Sequence, residues 1–391
     1  MLLPLLGVLV FAPIYWLLVP ASARRDFLAL ASLAALGIYD LRLLAVTLAL
    51  VFALFAATRA IAAASRNTGR LIAVLGFAIL AALFVANKYA AEGGGVLPSQ
   101  SGLVFLGMSY FALKAAAMLI ESSRRAQEPP RLRDLAGWLV FLPTFPSGPM
   151  EEYRHFSRQT PRVERERILG GFERVLFGMV KALVISHYLG AWAGEIAAAP
   201  ELHDPLVLLL ATYAFSLHFY LDFAGYSDIA IGVAALYGYE IQENFDSPLI
   251  RRNLVQLWQR WHMTLTRWLR LYIFTPVSRG IMRRAGERGD TAGILAGQVC
   301  AMVFCGLWHG IGWHFALWGL LHALGLIWVG VAARRIGSRM PPALVGWWRK
   351  SPVAYALSVF ITFNTFSLIN IVALDTLDHS LTFYARLFGL V

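Results

Sequence analysis

Two histidine-bearing stretches and a pair of aspartates hold the residues whose types and spacing could do chemistry. In CGLWHGIGWHFALWGLLHALG, Cys305 to Gly325, His309 stands between Gly306 and Gly310 beside Trp308, with apolar sequence on both sides. A neutral imidazole in such a setting can take a proton from a hydroxyl and so act as a general base. The plainer reading is a hydrogen-bonded packing histidine. In QLWQRWHMTLTRW, His262 follows Trp258 by four residues, which on one continuous helix would share a face. Arg260 and Arg267 beside it can hold a phosphate or an acidic partner, or else anchor the chain among lipid headgroups. Asp222 and Asp228 are six residues apart around Gly225, Tyr226 and Ser227. They would fall on opposite helical faces, which favours a structural role with an arginine or tyrosine partner.

The remaining candidates are weaker. His314 and His322 follow His309 by five and thirteen residues and read as ordinary packing. Metal binding by the three histidines lacks carboxylates and a ligand-spaced cysteine pair, so no metal is expected. Cys300 and Cys305, five apart in one apolar run, would point to different helical faces, which speaks against a mutual disulfide. Phosphate-loop, nucleophile-elbow, zinc-protease and dinucleotide fingerprints do not occur.

These residues sit in a chain of 391 residues that is 58% hydrophobic and only 15% charged, with a mean hydropathy of +0.62. Soluble domains are nearer a quarter charged. Apolar runs recur at 2–20, 26–39, 43–58, 71–87, 102–120, 135–149, 168–189, 205–221, 225–239, 292–308, 313–332 and 353–373, many near the roughly 20 residues that cross a bilayer. The expected fold is an all-α polytopic integral membrane protein with about ten to twelve transmembrane helices and interfacial amphipathic helices. The shorter runs, 26–39 and 135–149, are expected to be tilted, re-entrant or simply buried. With no long linker or internal repeat, residues 1–391 read as a single membrane domain.

The net charge of +11 does not point to nucleic acid. Its arginines fall in the gaps between apolar runs, at Arg24 and Arg25, Arg59 to Arg70, Arg124 and Arg125, and Arg334 and Arg335. That is the positive-inside pattern, and it places Arg24 and Arg25 in the cytoplasm, Asp40 outside, and the N-terminus outside. The first apolar run lacks a basic segment before it and does not read as a cleavable signal. Residues 251–290 interleave arginine with tryptophan, leucine and isoleucine too densely for a spanning helix, and an amphipathic helix lying in the cytoplasmic interface, or dipping partly inward, fits better.

Three motifs together resemble the membrane-bound O-acyltransferases: LDFAGYSDIAIG followed by ENFDSP, LWQRWHMTLTRWLRLYIFTP, and GLWHG with a trailing WGLLHAL. They cover about 100 residues of the second half, in the family's order. The resemblance implies a ring of membrane helices around a central tunnel, with a cytoplasmic donor side and an outer acceptor side. It places the essential histidine at His309 and the second motif position at His262. It also puts Trp308, Trp258, Trp261, Arg260 and Asn244 among the substrate-binding residues, with His262 positioning the donor or stabilising the oxyanion. LPTFPSGPMEEYRHF, Leu142 to Phe156, looks like the branch that D-alanylates teichoic acids, whereas VSRGIMRR after Pro276 departs from the alginate- and peptidoglycan-acetylating branch.

The implied activity is transfer of a D-alanyl or acetyl group from a cytosolic thioester to a hydroxyl of an envelope polymer or relay protein. The implied co-substrate is an acyl carrier protein or acyl-CoA, with no bound cofactor. The implied partners are that donor, the extracytoplasmic acceptor and membrane lipid, and the implied location is the bacterial inner membrane. A non-enzymatic transporter or flippase for an envelope precursor would account for the spans and the polar groups, but not for three ordered motifs.

Overall fold

A computed structural model describes residues 11–91, 107–162, 164–286, 289–336, 338–374 and 376–390, the side chains of 91, 289, 333 and 334 excepted. The starts of the expected spans 2–20 and 102–120, residues 92–101, Arg288 and the Arg334 side chain therefore lie outside the described residues. Those described are mostly helical, without a strand. The chain divides into two compact units, one of Met1–Met179 with Tyr226–Gln242, the other of Val180–Gly225 with Glu243–Val391.

Among the described residues, six helices are long and apolar enough to cross a membrane: Leu41–Ala63, Arg66–Ala90, Pro205–Leu236, Asp290–His309, Trp313–Ala332 and Pro352–Ile371. The first unit opens with α1 (Arg24–Tyr39), α2 (Leu41–Ala63), α3 (Arg66–Ala91) and α4 (Met108–Ser123). Asp40 separates α1 from α2 by accepting hydrogen bonds from Arg42 N and Leu43 N, which leaves a one-residue turn. The short helices α5 (Leu132–Leu139) and α6 (Tyr153–Arg158) follow.

The run 135–149, expected to be tilted, re-entrant or simply buried, is a buried segment and not a spanning helix. Pro143, Pro146 and Pro149 remove backbone donors, so after α5 the chain makes one 3₁₀ turn, Leu142–Thr144, and continues irregularly. Several of its polar groups are satisfied internally. Leu142 N donates to Ser32 Oγ, Lys114 Nζ donates to Thr144 Oγ1, and Trp138 Nε1 donates to Glu151 O. Arg25 ties this region together by pairing with Asp134 at 2.8 Å and donating to the carbonyls of Ser157 and Gln159.

α7 (Arg165–Met179), a π-helical segment Val180–Ile185 and α8 (Ser186–Ala198) run on without a break. α9 (Pro205–Leu236) is one helix of 32 residues where the sequence predicts two spans, 205–221 and 225–239. Gly225 does not interrupt it, because a single glycine costs only about 1 kcal/mol relative to alanine and packing outweighs that. Of its aspartates, Asp228 is paired with Arg174 at 2.9 Å, the kind of structural partner expected, while Asp222 is exposed.

In the second unit, residues 251–285 form α10 (Leu254–Trp258), α11 (Met263–Leu269), a π segment Arg270–Phe274 and α12 (Thr275–Ala285) rather than one interfacial helix. α13 (Gly289–His309) and α14 (Trp313–Arg335) then make a hairpin across Gly310–Gly312. Glycines bring the two backbones together: a Cβ on Gly306 would run into the Phe315 carbonyl, and one on Gly319 into the Met302 carbonyl. α15 (Pro342–Lys350), α16 (Pro352–Ile371) and α17 (Leu377–Leu387) complete the unit. Both cysteines are free, Cys300 exposed and Cys305 buried, on different faces of α13.

Candidate active site

His262 is the N-cap of α11 and adopts φ 41°, ψ 54°, a left-handed conformation unusual for a residue with a side chain. The chain from Asn244 to Asp246 holds it there. Met263 N donates to Asn244 O at 2.8 Å, and Asp246 N donates to Arg260 O at 3.0 Å. Asn244, fully buried, then spends its side-chain oxygen on the same loop: Thr264 Oγ1 donates to Oδ1 at 2.8 Å, and His262 Nδ1 donates to it at 3.0 Å.

That last bond sets the chemistry of the ring. With its proton on Nδ1, a neutral His262 carries its lone pair on Nε2. His262 is 2% exposed, and burial, followed by the charge of His309, pushes its pKa well below the ordinary value. It therefore stays neutral and presents Nε2 as an acceptor. Stabilising an oxyanion needs a donor, so this geometry does not suit that expected role for His262.

His309 ends α13, at the carbonyl end of the helix. Its ring meets Trp308 (centroids 4.8 Å apart) and Trp318 (5.4 Å apart, 81° between planes). Trp308 also approaches His262, at 6.2 Å, so one buried indole neighbours both histidines. Phe223 of α9 packs edge-on against His262 at 4.6 Å. His262, Asn244, Trp308 and His309 are thus brought together.

The other residues selected from sequence are placed elsewhere. Trp261 is packed among Phe219, Tyr220, Phe245 and Phe366. Arg260 is paired with Asp246, whose carboxylate also receives Arg251 at 3.3 Å. Trp258 does not share a helical face with His262, because α10 ends at Trp258; it hydrogen-bonds His322 instead. Nor do His309 and His314 lie on one helix. The glycines beside His309 serve the hairpin: Gly310 leaves room for the Phe315 ring, as Gly306 does for its carbonyl.

Sequence reasoning missed Phe223, Trp318 and Asn370, and took His322 for packing. The available signal was the pair Trp318 and His322, one turn apart on α14 in line with the Trp308–His309 pair across a glycine turn. No group of three or more His, Cys, Asp or Glu side chains among the described residues could hold a metal ion. An apolar cavity of about 630 Å³ in the first unit, lined by Phe27, Ile38, Phe141 and Tyr237 among others, includes none of these site residues.

Comparison with known proteins supplies the context. The model of the membrane-bound O-acyltransferase family matches residues 32–364. A teichoic acid D-alanyltransferase of Streptococcus thermophilus is 29% identical over 284 residues, covering 68% of this chain and 67% of its own length. A probable alginate O-acetylase of Azotobacter vinelandii is 31% identical over 233 residues, covering 57% of this chain and 44% of its own length. A peptidoglycan O-acetyltransferase of Helicobacter pylori is 26% identical over 254 residues, or 56% of this chain and 46% of its own length. The match thus spans two thirds of the first of these relatives and less than half of the other two.

Proposed function

Because the chain belongs to the membrane-bound O-acyltransferase family, we propose that it is a multi-pass membrane enzyme that transfers a D-alanyl or acetyl group to a hydroxyl of a cell-envelope acceptor. The donor is a thioester carried by an acyl carrier protein or coenzyme A on the cytoplasmic side of the bacterial inner membrane. The acceptor is an envelope polymer or a relay protein on the outer side, reached through a tunnel among the helices. The observation that carries this reading is the meeting of His309 with the neutral His262 around Trp308.

His309 is the general base. As the acceptor oxygen attacks the thioester carbonyl, the new C–O bond forms and the hydroxyl proton moves to the His309 ring. The carbonyl end of α13 is complementary to the positive charge that develops there. Collapse of the tetrahedral intermediate breaks the C–S bond, and the departing thiolate takes the proton from His309. Ester and free thiol are the products. His262 accepts a hydrogen bond through Nε2 and fixes the orientation of its donor, with Asn244 holding the tautomer. Trp308 walls the site.

The LPTFPSGPMEEYRHF stretch favours D-alanyl over acetyl. The choice is tested by incubating the purified protein in lipid nanodiscs with labelled D-alanyl and acetyl thioesters and a hydroxyl acceptor. Ester formation from the D-alanyl donor is expected; ester from acetyl alone would reverse the choice, and ester from neither would contradict the activity.

A further inference from the structure

Two polar pairs meet at the Trp318 indole, directly beside the His309 ring. Trp318 Nε1 donates to Asn370 Oδ1 at 3.0 Å, joining α14 to α16. Trp258 Nε1 donates to His322 Nδ1 at 3.3 Å, joining α10 to α14. That bond fixes the His322 tautomer, since Nδ1 must carry the lone pair and a neutral ring then has its proton on Nε2.

The rings enclose one another. His322 lies 4.5 Å from Trp318 and 5.2 Å from Trp258, both near edge-to-face, while Phe366 flanks it at 5.8 Å. Trp258 and Trp318 are themselves 6.0 Å apart at 73°. His322 is 0% and Asn370 3% exposed. Burying two polar side chains is unfavourable unless they make directional bonds that an apolar residue could not, and here each bonds one indole N–H. Trp318, the shared member, is also the ring set edge-on to His309.

We propose that His322 and Asn370 are positioning residues for the base. They fix the Trp258 and Trp318 indoles, and Trp318 in turn fixes the His309 ring. The inference rests on His309 being the base. An indole released from its N–H bond can turn about its two side-chain torsions, and a misplacement of about 1 Å at a reacting group can cost on the order of 100-fold in rate. His322 is therefore more than packing: its lone pair at Nδ1 is what the Trp258 N–H requires.

The test compares His322→Phe, His322→Asn and Trp318→Phe in steady-state acyl transfer from a labelled thioester, with wild type and His309→Ala alongside. Phenylalanine at 322 keeps a ring but loses the acceptor, whereas asparagine keeps an acceptor oxygen near the Nδ1 position. Trp318→Phe keeps a ring near His309 but loses the bond to Asn370. The expected result is a fall in kcat of about tenfold for His322→Phe and Trp318→Phe with little change in KM for the thioester, below the roughly 100-fold that a 1 Å misplacement can cost. His322→Asn is expected to recover most of kcat.

Wild-type kcat in both ring-preserving variants would overturn the proposal. So would equal loss in His322→Asn and His322→Phe that tracks the amount of folded protein. If His322→Phe fails to fold, Trp318→Phe reads the same link. A wild type that transfers nothing, or a fully active His309→Ala, overturns the reading of His309 and the positioning role with it; transfer that depends on His309 beside unaffected variants overturns the positioning role alone.

Discussion

At the scale of single residues, the state of His262 has consequences for pH. In the folded chain it protonates only well below 6.5, whereas in the unfolded chain it protonates near that value. As pH falls below about 6.5 the unfolded state gains the proton and the folded state does not, so a contribution fully present above 6.5 is lost on acidification. The slope is at most about 1.4 kcal/mol per pH unit for this one group. Thermal melts in detergent between pH 7 and pH 5 should therefore show a smaller acid-side loss for His262→Gln than for wild type. Identical slopes would mean that His262 is not the buried neutral ring described.

Asn244 offers a second check at this scale. Asn244→Ala leaves the buried Thr264 hydroxyl and His262 Nδ1–H without their shared acceptor, a cost of about 1–3 kcal/mol per group. A lower melting temperature together with reduced transfer is expected; unchanged values for both would remove Asn244 from the account. None of this was legible locally. The motif marked His262 and Asn244, but the left-handed turn at His262 is imposed by a partner eighteen positions away, and no local pattern reveals it.

Among the elements, the α13–α14 hairpin carries the base and its supporting indole, and its glycines decide whether the two helices can meet. Gly306→Val or Gly319→Val would drive a side chain into a facing carbonyl, which must separate the helices. A loss of about 2 kcal/mol or more is expected, in the range of overpacked cores. Gly330, where an added methyl group would meet nothing within 4 Å, is the control: Gly330→Ala should be neutral or slightly stabilising, because alanine is the better helix former. Comparable melting temperatures for the 306, 319 and 330 variants would contradict this packing.

Element boundaries show where sequence reading succeeds and fails. Long apolar runs such as 43–58 and 313–332 announce their helices, because nothing but a helix satisfies backbone in hydrocarbon. The run 135–149 is apolar for a different reason, and its three prolines mark it as a buried irregular segment. α9 looks divided at residues 222–224 because Asp222 interrupts the apolar run, and an acidic residue within a helix looks in sequence like one that ends it.

For the whole molecule, family membership fixes the class of reaction and the positive-inside pattern proposes the orientation, N-terminus outside. Single-cysteine labelling in intact cells, after replacement of Cys300 and Cys305, checks this. Asp40→Cys should react with an impermeant maleimide, and Ala64→Cys should react only after the cells are opened. The reverse pattern would invert the donor and acceptor sides. The second-half motifs made the site region legible because they are continuous in sequence. The His322–Trp318–Asn370 array was not, since its members come together only once α14 and α16 pack.

Above all, His309 is proposed to take the proton of an attacking hydroxyl. The most direct test of this is the rate of ester formation from a labelled acyl thioester by purified wild type and His309→Ala, each shown folded by its melting temperature. A loss of about 10²–10⁴-fold in the variant, the usual worth of a general base, is predicted. Ester formation by a folded His309→Ala protein at the wild-type rate would contradict the account.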